Sequence, residues 1–249
     1  MGSYLTLTRR ELAGYFLSLT GYVIISAMAF LLGLSFVVLL VRLQQEPTPM
    51  PVTELFYNTN FFWLILLLSV PVITMRLFAL EKFTGTFETL MTTPVNEFQV
   101  VLAKFSAAIL FYFVMWLPLF GCVLFVAKSG AEAQTFDYGV LVGTFVGIML
   151  LGCLFVSLGC LASALSRTQM SAAMISLVFG ASLFLLGFIA DQGVGNTWQT
   201  QVLTVFNLFR QMRDFSRGIV DTRAVVLLCS LTFLFLFLTL RVVESRRWK

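Results

Sequence analysis

Six apolar runs, each long enough to cross the roughly 30 Å of hydrocarbon in a bilayer, take up most of this chain and leave it few ways to fold. They cover residues 21–41, 61–78, 103–126, 139–165, 170–190 and 224–243. Inside hydrocarbon every backbone N–H and C=O has to be satisfied within the protein, so runs of this length become helices and the expected fold class is an all-α polytopic membrane protein. Composition agrees: 59% of the 249 residues are hydrophobic and only 11% are charged, against roughly 25% charged in a soluble domain. The even number of spans puts both termini on one side, and the whole of residues 1–249 reads as one transmembrane domain.

Lys and Arg set the orientation, because cytoplasmic segments collect them. With a cytoplasmic N-terminus, the inner segments hold ten: Arg9, Arg10, Arg76, Lys82, Lys104, Arg167, Arg241, Arg246, Arg247 and Lys249. Two short outer loops then hold only Arg42 and Lys128. The segment 191–223 runs against this bias with Arg210, Arg213, Arg217 and Arg223. Its length and its acids Asp191, Asp214 and Asp221 weaken the objection, since short loops obey the rule best. The reading is a bacterial inner-membrane protein with both termini cytoplasmic. Arg9, Arg10 and Glu11 precede an apolar run too long for a signal peptide, so the first span is expected to stay in the mature protein.

Residues 1–20 are amphipathic, with Leu5, Leu12, Tyr15, Phe16 and Leu19 on one stripe and Thr8 with Glu11 in a capping-box pattern; an interfacial helix is expected there. In segment 191–223 the cluster Val202, Val205, Phe206, Leu208 and Phe209 is followed by polar residues 210–217 and a break at Gly218. That pattern predicts a pair of short re-entrant helices before the sixth span. In the fourth and fifth spans, Gly143 with Gly147, Gly159 with Ser163, and Ala172, Ser176 and Gly180 recur every four residues and should let helix backbones approach closely. Pro71 and Pro118 are expected to kink the second and third spans.

Several function classes are disfavoured. No apolar run carries an ionisable residue near its middle, as a proton relay or charged-substrate site would need. The chain has no His and no phosphate-binding Gly-rich Lys-Ser/Thr loop. Its cysteines (Cys122, Cys153, Cys160, Cys229) all sit in apolar runs, read as buried thiols, and form neither a metal-ligand spacing nor a disulfide framework. Met28, Met75, Met115, Met149, Met170 and Met174 are scattered over several spans and read as packing. The small net charge of +4 is placed by topology and implies no nucleic acid.

One polar stretch stands apart, residues 81–95. Thr84 and Gly85 can open a helix, Glu88 sits in its first turn and Pro94 closes it. Phe87, Leu90 and Met91 fall at i, i+3 and i+4, an apolar knob that needs a receiver.

The sequence Ala79-Leu-Glu-Lys-Phe-Thr-Gly-Thr-Phe-Glu-Thr-Leu-Met-Thr-Thr-Pro-Val, followed by Val100-Val-Leu-Ala-Lys104, resembles the transmembrane subunits of ABC-2 type ABC transporters. The pattern is similar to the gliding-motility-associated and nitrous-oxide-reductase-maturation permeases. Asp214-Phe-Ser-Arg-Gly-Ile-Val-Asp-Thr-Arg223 resembles the external segment before the last span of that subfamily, with Gln211 where a His is common. The resemblance implies an elbow helix at 1–20, a cytoplasmic coupling loop at 79–102 and the re-entrant segment at 191–223. It makes the helix after Thr84 the coupling helix, with Gly85, Thr86, Glu88, Leu90, Thr93 and Pro94 contacting or shaping the groove of a separate ATPase subunit. That partner would bind ATP and Mg, and this chain would carry no cofactor and no catalytic residue. A second permease copy or a related permease and membrane lipids are the other implied partners, and export the implied direction. A membrane anchor that recruits an ATPase without moving cargo is the alternative.

Overall fold

The structure, a computed structural model, describes residues 2–45, 60–86, 96–129, 138–191 and 207–245. All the regular structure among them is helical: α1 (Gly2–Phe16), α2 (Leu19–Gln45), α3 (Asn60–Thr74), α4 (Ala79–Thr84), α5 (Glu97–Ser129), α6 (Tyr138–Leu165), α7 (Gln169–Asp191), α8 (Leu208–Ser216) and α9 (Thr222–Ser245). Six stretches are long and apolar enough to span a membrane, and they follow the six apolar runs. The second differs in build. Its helix α3 stops at Thr74, and after a turn at residues 75–78 the chain resumes as the short α4. Both prolines, Pro71 in α3 and Pro118 in α5, lie inside their helices.

Helix α6 is the hub, packed against α9, α7, α8, α3 and α5. Over half of the apolar stretch is buried in the second, third and fourth spans, whereas only 28%, 22% and 17% is buried in the first, fifth and sixth. The inner three therefore form a core held by Phe62, Phe111, Tyr112, Trp116 and Phe155, and the outer three present apolar side chains outwards. Apolar solvation of a bilayer makes that exposure stable. The thiols follow the same division: Cys160 is buried, Cys122 and Cys153 are half-buried, and Cys229, within the spanning stretch of α9, is exposed.

Helix α1 corrects one expectation, the Thr8–Glu11 capping box. Its packed face carries the polar stripe Tyr4, Thr8, Glu11 and Tyr15, at i, i+4, i+7 and i+11, with Leu7 and Phe16 packed beside it, while Leu5 is exposed, as is Leu19 at the start of α2. The Thr8 hydroxyl, in mid-helix, donates to Tyr4 O at 2.9 Å, and Glu11 reaches out of the helix, so neither caps an N-terminus. The stripe packs because each polar group finds a partner in the bundle: the Tyr4 hydroxyl lies 2.7 Å from Ser106 Oγ, and Tyr15 donates to Ile73 O at 2.8 Å. Tyr15 also stacks on Phe111, with centroids 4.8 Å apart. Burial pushes its phenol well above the ordinary range, so it remains a neutral donor.

Candidate functional site

Among the described residues, a cluster of charged groups gathers around α4. Lys104, two turns into α5, is buried, and its ammonium lies 2.9 Å from Glu81 of α4 and 3.1 Å from Glu11 of α1. Arg10 closes the group at 3.0 Å from Glu11 and 3.3 Å from Glu81. Two cations and two carboxylates make a neutral cluster. Neutrality matters because an unpaired buried ammonium would be very costly. Lys104 also sits 5.5 Å from the centroid of the buried Phe78 ring, so its cation is flanked by an aromatic face as well as by carboxylates. The second oxygen of Glu81, Oε2, is buried and hydrogen-bonded to nothing among the described residues.

The start of α4 is anchored separately to the end of α6. The first turn of a helix leaves N–H groups without intrahelical acceptors. Here the buried hydroxyl of Ser163 accepts from two of them, Phe78 N at 3.0 Å and Ala79 N at 3.1 Å. Lys82 supplies the reverse contact, its ammonium donating to the carbonyls of Ala164 and Ser166 at the C-terminal end of α6, where positive charge is favoured. Four helices, α1, α4, α5 and α6, thus meet at residues 78–82.

Helix α4 ends at Gly85, which has φ of 73°, and that left-handed conformation is what glycine supplies without strain. Thr84 is therefore the last residue of α4, a correction to its expected place at the opening of a helix; the chain is helical again at Thr86. Gly85 and Thr86 are exposed, with Thr86 Oγ1 2.9 Å from Thr84 Oγ1. The remaining coupling residues, Phe87, Glu88, Leu90, Met91, Thr93 and Pro94, lie outside the described residues.

The small residues serve three different contacts. A methyl group added at Gly159 would stand 2.3 Å from Thr74 Oγ1 of α3, and one at Gly180 would stand 3.2 Å from Leu67. Ser163 caps α4, as above, and Ser176 is buried with its hydroxyl unpartnered among the described residues. Gly143 and Gly147 face α8 rather than a spanning helix: a methyl at Gly147 would lie 2.9 Å from Phe215 Cβ, and one at Gly143 3.0 Å from Phe215 O. Helix α8 is the one short helix described in the segment before the sixth span; the first of the expected re-entrant pair falls in 192–206, outside the described residues.

The Lys104 cluster went unread in the sequence, although a signal existed. Lys104 interrupts the apolar run Val100 to Phe105 with no acid within a helical turn, and a lysine so placed needs a distant carboxylate.

The polar joint thus sits at one end of a six-span helical core. The family comparison decides the class: residues 51–242 match the model of the ABC-2 family transporter proteins. The chain belongs to the ABC-2 transporter family. As an ABC-2 permease it is a non-catalytic, multi-pass membrane component of an ABC transporter, a class that works with an ABC ATPase partner. Among curated proteins, none matches the chain.

Proposed function

We propose that this permease converts ATP-driven closure of its partner into movement of its spans through the polar joint at residues 78–82, with residues 85–94 as the coupling helix. The observation that carries this reading is the clamping of α4. The segment that leads directly into Gly85 is fixed to α1 and α5 through Glu81, and to α6 through Ser163 and Lys82. A displacement applied beyond Gly85 is then passed to four helices at once, because closely packed, hydrogen-bonded elements move as a body instead of absorbing motion.

In this reading ATP and Mg are bound by the separate ATPase subunit, and two permease chains, identical or related, enclose the path. The joint lies on the cytoplasmic side of the bacterial inner membrane, together with both termini, as the Lys and Arg bias argues. Export is the direction proposed. The similarity to gliding-motility-associated and nitrous-oxide-reductase-maturation permeases narrows the subfamily and rests on the 79–104 and 214–223 motifs alone.

The test places Asp at Phe87 and at Leu90 and measures retention of the ATPase on the purified permease together with permease-stimulated ATP hydrolysis. Loss of both is expected. Wild-type values for both would remove the coupling helix from residues 85–94. A wild-type complex whose ATPase is bound but never stimulated would instead favour a recruiting anchor.

A further inference from the structure

At the end of the bundle opposite the polar joint, a cavity of about 350 Å³ lies between α8 and the start of α9. This is within the range of roughly 300–1,000 Å³ typical of small-ligand sites. Its wall is mixed in character. Arg210 and Asp214 of α8, Arg223 of α9 and Asp221 just before it supply charge, whereas Ile219, Ala224 and Leu227 supply apolar surface. Leu227 lies one helical turn beyond Arg223 on α9, toward the membrane-spanning part of that helix. A wall that combines charge with apolar surface running onto a span suits an amphiphile.

Which charges are free decides the headgroup. Arg213 is engaged with Asp191 at 3.7 Å, and Asp221 accepts from Arg223 N at 2.9 Å as the cap of α9. The side chains of Arg210, Arg223 and Asp214 make no ion pair with any described residue. Two guanidinium groups are suited to a phosphate, which they bind through paired N–H donors. A carboxylate beside them is suited to an amine that can donate to it. A quaternary ammonium would be better served by an aromatic cage, and among the described residues Phe215 is the only aromatic side chain on the cavity wall.

We infer that this cavity binds a membrane phospholipid whose headgroup carries a phosphate and a primary amine, with Arg210 and Arg223 on the phosphate, Asp214 on the ammonium and the acyl chains leaving past Leu227. The inference needs only the membrane-spanning bundle and does not depend on the coupling reading. It gives α8 a ligand at the membrane surface.

The experiment titrates the detergent-purified permease with phosphatidylethanolamine, phosphatidylglycerol or phosphatidylcholine and counts retained lipid by native mass spectrometry. Wild type should retain phosphatidylethanolamine in preference to the other two. The double variant Arg210→Gln/Arg223→Gln should lose at least ten-fold in that retention. Asp214→Asn should retain phosphatidylethanolamine and phosphatidylglycerol equally, since it keeps the phosphate donors and drops the amine acceptor. Because Arg210 and Arg223 are exposed, their variants should melt with the wild type, which a thermal scan checks. Equal retention by wild type and the double variant would overturn the site. Displacement of the lipid by an equal concentration of water-soluble glycerophosphoethanolamine would overturn the lipid as its ligand and assign a free headgroup instead.

Discussion

The two ends of α6 solve the same problem in opposite ways. At its C-terminal end, α4 is fastened by charge and hydrogen bonds: Glu81 to Lys104, Lys82 to the last carbonyls of α6, and Ser163 to two backbone N–H groups. About 24 Å away along α6, at Gly147, the short helix α8 is fastened by apolar fit. Phe215 rests on Gly147, and Phe209 enters an aromatic nest with Trp63 and Phe184 at centroid distances of 4.3 and 5.2 Å. Charges are consumed at the first end and left over at the second. A group already paired in the fold positions its own helices, whereas an unpaired one on a firmly seated helix is available to something else.

The strongest way to break this comparison is at Lys104. Lys104→Met leaves Glu11 and Glu81 facing each other with only the half-exposed Arg10 for compensation, and removing one partner of a buried ion group costs about 3–5 kcal/mol. The prediction is a loss of that size in detergent unfolding and, on the proposed coupling, a loss of ATPase stimulation with the ATPase still bound. A loss below about 1 kcal/mol would mean that the cluster behaves as a surface pair and does not hold the joint.

A middle-sized effect tests whether the glycines are seats of different tightness. At Gly159 an added methyl meets the Cβ, Cγ2 and Oγ1 of Thr74 within 2.3–2.7 Å, and Thr74 is both fully buried and hydrogen-bonded to Val70 O at 2.9 Å. A β-branched side chain so held cannot turn aside, and Gly159→Ala is predicted to cost about 1–3 kcal/mol. At Gly187 the same methyl would lie 3.2 Å from the edge of the Phe209 ring, a gap that a shift of a few tenths of an ångström relieves. Gly187→Ala should cost less than Gly159→Ala in the same unfolding assay; equal costs would show that the α8 seat is as rigid as the contact between spans.

How much of this was legible in the residues depends on where each signal lives. The six spans could be read because apolar length is a local property, and the structure has six spanning stretches on the same runs. The joint could not, because Lys104, Glu11 and Glu81 are separated by 93 and 23 positions and only the bundle brings them together. Helix α1 shows a related limit. An apolar stripe marks the buried face of a helix in water, but beside a bilayer the apolar side can face outward, and the stripe Tyr4, Thr8, Glu11 and Tyr15 turned inward because hydrogen-bond partners awaited it. The Gly143 and Gly147 spacing announced a close approach without saying what approaches. A helix from beyond the next span fills that place, and four-residue spacing alone does not distinguish it from a neighbouring span.

The smallest expected effect probes the α8 end at the ion pair Arg213–Asp191. Arg213 and Asp191 lie 3.7 Å apart with side chains 42% and 35% exposed, a geometry in which solvent screens most of the attraction. Arg213→Ala is predicted to change unfolding stability by no more than about 0.5 kcal/mol, within the range of exposed pairs. The variant keeps Leu208, Met212 and Phe215, the buried anchors on the opposite face of α8, so the helix should stay seated. If Arg213→Ala destabilised the protein as much as Lys104→Met, α8 too would be held by charge, and the contrast between a charge-fastened joint and an apolar seat would fail. If it is silent while Lys104→Met is severe, similar residue chemistry has been given two uses by burial alone: Lys104 at 3% side-chain exposure holds helices together, and Arg213 at 42% on the open face of α8 does not.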